Sequence, residues 1–345
     1  MKAKKQISKN PNNKSRVNSM SEVLFLSRVV IEKLIDYGEA INIVERAFAE
    51  DAEGKHSIYP VIREEIHETE GVFGIKSGYI QSTATLGLKA GGYWNRRIAR
   101  GLPGHQSTIL LFDPDSGSPL CVMDGNYITE VRTAAAGAVA VKHLARKDAD
   151  EVGVIGTGVQ GRAQLIGLSK VVSIRRVRCF DIRKDSRLRY ADDMKRVGLD
   201  VTPVDEAKSA VDDADVVITA TPSTEAIVMD DWIKPGVHIN AMGADTRGKQ
   251  ELEETIFKRA KIVVDNLKQC LSIGECQQAF SMGIIKEEDV YATLGEIVSG
   301  RKPGRTNELE ITLFDSTGVT FQDLSTAEYV FRRAVEKGVG SVIKT

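Results

Sequence analysis

The chain has 345 residues, of which 42% are hydrophobic, and its 47 lysines and arginines nearly balance its 48 aspartates and glutamates. This length accommodates two domains, and the balanced charge gives no electrostatic reason to expect nucleic acid or an anionic membrane as a partner. No apolar run approaches the roughly 18 residues that span a bilayer, and the four cysteines form no CxxC pair. We therefore expect a cytoplasmic enzyme that acts on a small molecule and has no metal site.

The N-terminal part of the chain predicts a polar tail followed by an α+β domain. Residues 1–19 are basic and polar and are expected to be disordered; a mitochondrial address is the less favoured alternative. A strand at 23–26 and a helix from 28 to 53, ended by Gly54, precede a run of short strands over 58–125. The turn residues at 113–117 predict a hairpin. Strands without intervening helices indicate a mixed sheet, and we assign residues 20–126 to this domain.

The pattern changes near residue 126, where strands and helices begin to alternate. An alanine-rich helix over 127–146 comes first. The predicted strands then lie at 151–156, 176–182, 214–221, 237–244, 261–265 and 311–315, with helices at 160–170, 186–197 and 251–259. This alternation predicts an α/β fold, a Rossmann-type doubly wound parallel sheet, over residues 127–322. A final helix at 325–337 is expected to return to the first domain, so we group residues 323–345 with it.

The strongest motif is the loop Gly156-Thr157-Gly158-Val159-Gln160-Gly161, which follows a buried strand and opens a helix. Its glycines allow a tight turn, the approach of a pyrophosphate and close packing of the helix, whose N-terminus favours phosphate. Asp181 lies 20 positions after Gly161, where an acid accepts hydrogen bonds from an adenosine ribose. Because Asp181 would repel a 2′-phosphate, NAD is predicted; Arg183 and Lys184 nearby leave NADP possible.

Five charged residues are candidates for the chemistry. Asp245 follows the strand at 237–244, counted as the fourth of the parallel sheet, and could bind a substrate ammonium or iminium, or cap the next helix instead. Arg63, Lys76, Lys89 and Arg132 lie in apolar or small-residue surroundings, where they could hold a carboxylate. Taken singly, each of these cations is more often a surface charge.

A basic, glycine-punctuated loop follows Lys89. Arg96, Arg97 and Arg100 add positive charge there, which suits an anionic substrate, although all three could equally line an exposed rim. His105 could be a general base or a structural turn residue, and the sequence leaves that choice open.

Together, several linked segments resemble the ornithine cyclodeaminase/mu-crystallin family over nearly the whole chain. These segments are Lys89 with its glycine-rich turn, residues 131–135, 156–161, 243–252 and 314–318. The resemblance implies a homodimer joined through the N-terminal domains, which would also bind substrate, and NAD(P)-dependent chemistry at the α-carbon of an amino acid. By position, Arg63, Lys89 and Arg132 match carboxylate-binding residues and Asp245 matches the acid that handles the amine.

Further residues are assigned to the predicted substrate and cofactor sites. Lys76 lies in a family strand near the pocket and is included among the substrate-binding residues, while Lys89 and Asp245 are the predicted catalytic pair. Beyond the glycine loop, Asp181 and Arg183, the predicted cofactor contacts are Thr133, Thr221, Gly243, Asp315 and Gly318.

One departure from the family pattern concerns the substrate. Ornithine cyclodeaminases share an Asn-x-His-Pro tract after the lysine, but residues 91–97 here read Gly-Gly-Tyr-Trp-Asn-Arg-Arg, which puts ornithine in doubt. The loop over 93–107 resembles iminosuccinate reductases, and residues 243–252 and 314–318 also resemble alanine dehydrogenases. The hypothesis is NADH-dependent reduction of a small imino acid, with iminosuccinate to L-aspartate preferred.

Other functions stay open at this point. Within enzymes they are alanine dehydrogenase, a reductase of the cyclic imine pyrroline-2-carboxylate, and ornithine cyclodeaminase. A non-catalytic protein that binds cofactor or a small ligand, as in mu-crystallin, is the alternative from another class.

Overall fold

The structure, a computed structural model, describes residues 22–98 and 100–344. The predicted tail over 1–19 and the predicted domain start at Met20 lie outside the described residues. Within those ranges, no helix is both long enough and apolar enough to cross a membrane.

Among the described residues before residue 125, the first part of the chain forms strands and three helices. In chain order its elements are β1 (Glu22–Leu26), α1 (Arg28–Ile31), α2 (Tyr37–Ala52), β2 (His56–Ile58), β3 (Ile62–Ile66), a 3-10 turn (His67–Thr69), β4 (Gly71–Ile80), β5 (Thr85–Trp94), α3 (Asn95–Ile98), β6 (His105–Phe112) and β7 (Pro119–Asp124).

The second part alternates helices and strands. Its elements are α4 (Gly125–Leu144), β8 (Glu151–Ile155), α5 (Val159–Leu168), β9 (Arg176–Phe180), α6 (Lys184–Arg196), β10 (Val201–Pro203), α7 (Ala207–Val211), β11 (Val216–Thr219), β12 (Thr224–Val228), a 3-10 turn (Asp230–Trp232), β13 (His238–Ala241), β14 (Gln250–Leu252), a 3-10 turn (Glu254–Lys258), β15 (Ala260–Val264), α8 (Leu267–Ile273), α9 (Cys276–Ser281), a 3-10 turn (Glu287–Asp289), β16 (Val290–Thr293), α10 (Leu294–Val298), β17 (Ile311–Asp315), α11 (Thr320–Lys337) and β18 (Ser341–Lys344).

Two large sheets organise these elements. The first is mixed, with the order β18-β1-β7-β6-β5-β4-β2 and with β3 also paired to β4; only β1 and β7 run parallel. The second has the order β10-β9-β8-β11-β13-β17-β15-β16, and every pair in it is parallel. The strand order reverses at β8, so the predicted doubly wound parallel sheet is confirmed, and ligands of such sheets bind outside the carboxyl ends near this reversal.

Helix α4 joins the two sheets. It is buried along most of its length, because its alanines and glycines allow close packing. It contacts β6 of the mixed sheet and β13 and β17 of the parallel sheet. One hydrophobic cluster accordingly includes Ile109 of β6, Val139 of α4 and Phe314 of β17. This shared helix fixes the carboxyl edge of the parallel sheet relative to the inner face of the mixed sheet.

The C-terminal segment returns to the mixed sheet. Helix α11 begins at Thr320, five residues before the predicted start at Ser325, and packs on α2, β4 and β5. Strand β18, which the sequence analysis did not predict, then pairs with β1. The division of the chain into domains at 20–126 with 323–345, and 127–322, stays a prediction.

Two predicted helices are wrong. The single helix over 28–53 is interrupted, because Asp36 and Glu39 form a reciprocal capping box that starts α2 at Tyr37. The predicted helix over 251–259 is a short strand, β14, followed by a 3-10 turn. β14 pairs in parallel with β12 in a separate two-stranded sheet. Its N–H groups at Glu251 and Leu252 donate to the buried carboxylate of Glu275 instead of forming a helix.

The strand count of the parallel sheet also needs correction. The sequence analysis missed β10, a three-residue strand at the sheet edge that pairs with β9. The strand that precedes Asp245 is β13, so it is the fifth strand of the sheet in chain order and not the fourth.

Candidate active site

The glycine loop lies at the tip of β8. Gly156 has a φ of +97°, which favours glycine, and a Cβ on Gly161 would lie only 2.0 Å from the carbonyl oxygen of Gly156. A Cβ on Gly158, the residue that caps α5, would meet no described atom within 4 Å. The loop therefore combines a tight turn, close helix packing and an open backbone at a helix N-terminus, and these residues fit the pyrophosphate of a dinucleotide.

Asp181 lies beside this loop at the end of β9. Its carboxylate accepts hydrogen bonds from the N–H and hydroxyl of Thr157, at 3.1 and 2.9 Å, and from the N–H of Arg183 at 3.0 Å. A carboxylate has about four acceptor positions, so Asp181 still has capacity for a ribose hydroxyl. Among the described residues, the amide oxygen of Gln160 is buried without a partner, which also suits a ligand at the loop.

The neighbouring strand tips are held by a residue that sequence reasoning missed. The buried carboxylate of Glu251 accepts from the Thr219 hydroxyl at 2.7 Å and from the N–H groups of Thr221 and Gly243 at 2.5 and 2.9 Å. Burial raises the pKa of Glu251, although these three hydrogen bonds oppose the rise. Glu251 thus ties together the ends of β11 and β13, where the predicted cofactor contacts Thr221 and Gly243 lie.

Two other predicted cofactor contacts face the interior. Asp315 is fully buried at the end of β17, where burial raises its pKa to about 7 and its carboxylate accepts from the Cys276 N–H at 2.9 Å. Thr133 is buried in α4 and donates to the Thr129 carbonyl at 2.6 Å. The Thr133 hydroxyl thus has a protein partner, whereas Asp315 Oδ1 is buried without a hydrogen-bond partner among the described residues. A cofactor contact by Thr133 or Asp315 stays a prediction.

Lys89 and Arg132 lie together in a buried ion cluster around Asp323. The Lys89 amine is 2.8 and 2.7 Å from the two carboxylate oxygens of Asp323, and Arg132 Nε donates to the same carboxylate at 2.8 Å. Arg132 Nη1 also donates to Gln322 at 2.8 Å. The three charged side chains come from β5, α4 and α11, so their meeting depends on the packing of the whole first sheet.

Burial and neighbouring cations lower the pKa of Lys89 to about 7, although Asp323 opposes the shift. Lys76 is one of these cations: it stands opposite Lys89 on the adjacent strand β4, and burial and Arg132 lower its pKa too. A carboxylate bound here would bring a second negative charge to a cluster in which three cations surround one acid. The cluster is therefore suited to a carboxylate ligand.

Lys76 and Asp265 hold the loop that follows β17, and Arg132 lies against it. The Lys76 amine donates to the carbonyls of Thr317 and Gly318 at 3.1 and 2.5 Å, while Asp265 accepts from the Gly318 N–H at 2.6 Å. Gly318 has a φ of +75°, and a Cβ there would lie 2.7 Å from Arg132 Nη1. Gly318 thus allows this loop to pack closely on Arg132. The loop in turn connects the parallel sheet with the buried ion cluster.

Arg63 joins a second group, which we call the Asp245 cluster: Arg63, Asp245, Thr246 and Lys249. Lys249 is 2.7 Å from Asp245 Oδ1, and Arg63 Nη2 is 3.6 Å from Asp245 Oδ2. Arg63 also donates to the Thr246 hydroxyl at 2.6 Å, and that hydroxyl is 3.0 Å from Asp245. Arg63 and Lys89, which the family resemblance assigns to one carboxylate, therefore contact different acids in this structure.

The Asp245 carboxylate is ionised at neutral pH. Burial opposes ionisation, but Lys249 and Arg63 outweigh it and hold the pKa of Asp245 well below its usual range. The alternative that Asp245 caps a helix is wrong, because the segment after it forms β14 and not a helix. Asp245 is available to a cationic group such as an iminium.

His105 and Tyr93 lie opposite each other on β6 and β5, near both clusters. Burial, together with the charges of Lys89 and Arg132, lowers the pKa of His105 to about 4, so the imidazole is neutral at pH 7. Asp245 also acts on this pKa in the opposite direction. A neutral imidazole can donate one hydrogen bond and accept another, which is compatible with both a general base and a structural turn residue.

The three arginines of the predicted basic loop do not join the site. Arg96 and Arg100 are exposed on α3 and the following turn, and Arg97 donates to the Pro103 carbonyl at 2.8 Å. Among the described residues, none of the three has a hydrogen bond or ion pair with either cluster. Their positions fit the alternative that the three arginines line an exposed rim better than they fit binding of the substrate.

Comparison with known proteins places this site in a family. The model of the ornithine cyclodeaminase/mu-crystallin family matches residues 21–338. The chain belongs to that family. The family membership that the linked sequence segments predicted is thereby confirmed.

Three solved members of the ornithine cyclodeaminase/mu-crystallin family are similar over nearly the full length. One is a Δ1-pyrroline-2-carboxylate reductase of Thermococcus litoralis in complex with NADH and L-proline, with 37% identity over 92% of this chain and 99% of that one and a TM-score of 0.90. The second is an archaeal alanine dehydrogenase dimer with bound NAD, with 40% identity over 94% and 99% of the two chains and a TM-score of 0.89. The third is the iminosuccinate reductase of Paracoccus denitrificans in complex with NAD+, with 39% identity over 94% and 100% of the two chains and a TM-score of 0.87. The predicted enzyme class and cofactor agree with these relatives, and their similar identities do not select one substrate.

Proposed function

We propose that the protein catalyses NADH-dependent reduction of a small imino acid to an L-amino acid, with iminosuccinate to L-aspartate as the preferred reaction. The observation that carries this proposal is the pairing of a dinucleotide loop with a strongly cationic pocket. The residues that would form this pocket belong to the two clusters described above: Arg63, Lys76, Lys89, Arg132 and Lys249, with the two carboxylates of Asp245 and Asp323.

The cofactor assignment rests on the carboxyl edge of the parallel sheet. The loop over 156–161 would hold the pyrophosphate, and Asp181 would accept a ribose hydroxyl and disfavour a 2′-phosphate. Arg183 is exposed next to Asp181, so NADPH is the cofactor to test beside NADH. When bound, the cofactor supplies the hydride for the imine carbon.

The residues of this chain would bind and orient the imino acid. Lys89 and Arg132 would hold the α-carboxylate, and the ionised Asp245 would face the iminium nitrogen and stabilise its positive charge. Fixing the α-carbon between these groups removes orientational freedom, a major source of rate acceleration. Lys76 and Gly318 would position the loop that closes this side of the pocket.

The choice of a dicarboxylate rests on charge. Five cations face two acids in the described pocket, and a substrate with two carboxylates balances that excess better than alanine or proline. This preference no longer depends on Arg96, Arg97 and Arg100. The same excess disfavours ornithine, whose distal ammonium would be repelled.

A homodimer is the proposed assembly. The outer face of the mixed sheet carries partly exposed apolar side chains on adjacent strands, namely Phe25, Leu86, Leu88, Leu110, Phe112 and Val122. An apolar sheet face of this kind is typical of a subunit interface. The archaeal alanine dehydrogenase relative, solved as a dimer, supports the proposal.

A substrate screen tests the proposed reaction. NADH and NADPH oxidation would be followed with oxaloacetate plus ammonia, pyruvate plus ammonia, and pyrroline-2-carboxylate, and the reverse reaction with aspartate and NAD+. The proposal predicts the highest kcat/KM with NADH, oxaloacetate and ammonia. Faster turnover of pyruvate or of the cyclic imine would overturn the dicarboxylate assignment. Release of proline from ornithine, or cofactor binding without any turnover, would assign a cyclodeaminase or a binding protein.

A further inference from the structure

We propose that Asp323 is a positioning residue, which holds Lys89 and Arg132 as a pair of charged donors for the substrate carboxylate. The role rests on the proposed function in one respect, namely that this pair binds a carboxylate. Asp323 is fully buried, so it acts through its two partners and not on the substrate itself.

The geometry of Asp323 allows it to serve two donors at once. Lys89 lies 2.7 and 2.8 Å from its two oxygens, and Arg132 Nε donates to Oδ1 at 2.8 Å. Charge-assisted bonds of this length are strong where water is excluded. Because Asp323 belongs to α11, whereas Lys89 lies on β5 and Arg132 on α4, the carboxylate also fixes where these elements present their cations.

The orientation of Arg132 follows from the same contacts. A guanidinium has five N–H donors in a plane, and Asp323 and Gln322 occupy two of them. Gly318 packs against the terminal nitrogens, where a Cβ would come within 2.7 Å of Nη1 and 3.0 Å of Nη2. The plane of the arginine is therefore set, and its remaining donors are preorganised for a planar carboxylate.

The charge of Lys89 depends on Asp323 as well. Burial disfavours the ammonium form, and the cations that face it, Arg132 on α4 and Lys76 on β4, disfavour it further. His105 on β6 is neutral at pH 7. Among the described groups facing Lys89, Asp323 is the acid that contacts its amine. Without this negative charge, the pKa of Lys89 would fall further, so the amine would be largely neutral at pH 7 and would attract an anion only weakly.

Titration of Lys89 tests this role without reference to catalysis. The full-length protein would be labelled with trace acetic anhydride at a series of pH values, and acetylation of Lys89 would be followed by peptide mass spectrometry. In Asp323→Asn we expect the midpoint of Lys89 to fall by about one pH unit or more relative to the unmodified protein. Glu328→Gln, which removes a charge from the partly exposed side of the same helix, should leave the midpoint unchanged.

Steady-state kinetics supply the second readout. Asp323→Asn should raise KM for the imino acid by roughly tenfold or more with a smaller change in kcat, and NADH affinity should be unaltered. Asp323→Glu retains the charge and should keep the Lys89 midpoint close to that of the unmodified protein. It also keeps the test available if the asparagine variant does not fold.

The two hypotheses fail in different ways. If no imino acid is reduced but the Lys89 midpoint falls in Asp323→Asn, the proposed function fails, whereas the electrostatic role of Asp323 stands. If the midpoint is unchanged in folded Asp323→Asn, or falls equally in Asp323→Glu, the positioning role is overturned.

Discussion

Lys89 and Asp245 show how strongly the surroundings of a residue set its charge. Lys89 has a pKa lowered to about 7 by burial and neighbouring cations, and Asp245 is kept ionised by Lys249 and Arg63, against the effect of burial. The lowered pKa of Asp245 suits binding of a cation at neutral pH, whereas the lowered pKa of Lys89 means that its charge, and with it the binding of an anion, changes near neutral pH. Mutations at these two residues are therefore expected to affect the reaction more than the fold.

Replacing Asp245 by asparagine tests its role at the iminium. Asp245→Asn keeps the shape but removes the charge, so we expect kcat to fall by about 100-fold or more while NADH binding is retained. Initial rates and NADH fluorescence titration would measure the two effects. Glu225→Gln, at an exposed position of β12, serves as the control. Unchanged kcat in Asp245→Asn would remove Asp245 from the mechanism.

The pKa of Lys89 predicts a pH dependence of anion binding. The ammonium form binds a carboxylate, and it is present below a pH of about 7 and is lost as the pH rises through that value. The inhibition constant of succinate, an unreactive dicarboxylate, should therefore rise by up to tenfold per pH unit above about pH 7. Lys89→Met should bind succinate weakly at every pH. A constant inhibition constant between pH 6 and 9 would contradict the assignment.

At the residue scale, the sequence predicted several charged residues of the site but not their partners. Lys89, Arg132 and Asp245 could be identified from linked motifs, whereas Asp323 lies 234 positions from Lys89 and 191 from Arg132. No local pattern predicts a contact across such separations. The available signal was physical, since two buried cations require an acid. Lys249, in contrast, could have been identified from the sequence, because it lies only four residues after Asp245.

The glycine loop is the element that sequence reasoning predicted in most detail. Its strand, turn and helix are all present in the structure, because Gly156 and Gly161 meet local backbone demands that the sequence alone expresses. The segment over 251–259 shows the opposite case. Its helical pattern was overridden by tertiary contacts: the Glu251 carboxylate binds the end of β11, and Glu275, which precedes α9, accepts from the N–H of Glu251.

Two glycines of this loop should respond differently to alanine. Gly158→Ala meets no described atom within 4 Å, so the melting temperature should be retained while NADH binding weakens by roughly tenfold or more. Gly161→Ala places a Cβ 2.0 Å from the Gly156 carbonyl, so it should lower both the melting temperature and NADH affinity. Thermal denaturation and NADH titration separate the two results. Full NADH affinity in Gly158→Ala would argue against a pyrophosphate at this backbone.

At the scale of the whole molecule, helix α4 and the loop after β17 bring the two sheets to one pocket. Arg63 of β3 meets the residues after β13, and Lys76 of β4 meets the residues after β17. The sequence predicted both sheets but could not show that Arg63 and Lys89 belong to different clusters, or that Arg96, Arg97 and Arg100 lie outside them. These facts depend on how the sheets pack, which periodicity does not encode.

The proposed dimer can be tested at the outer face of the mixed sheet. Leu110→Glu places a charge among apolar side chains of three adjacent strands, so the protein should become monomeric in light-scattering measurements after size-exclusion chromatography. Val197→Glu, at an exposed position after α6, is the matched control and should leave the assembly unchanged. A dimer that survives Leu110→Glu would place the interface elsewhere.

The most direct test of the central claim follows the hydride itself. The protein would be supplied with NADH that carries deuterium at both C4 positions of its nicotinamide, together with oxaloacetate and ammonia, and the aspartate formed would be analysed by mass spectrometry and NMR. The account predicts L-aspartate with one deuterium atom at its α-carbon and one NADH consumed for each product. Aspartate without deuterium, or no consumption of NADH with any imino acid, would contradict it.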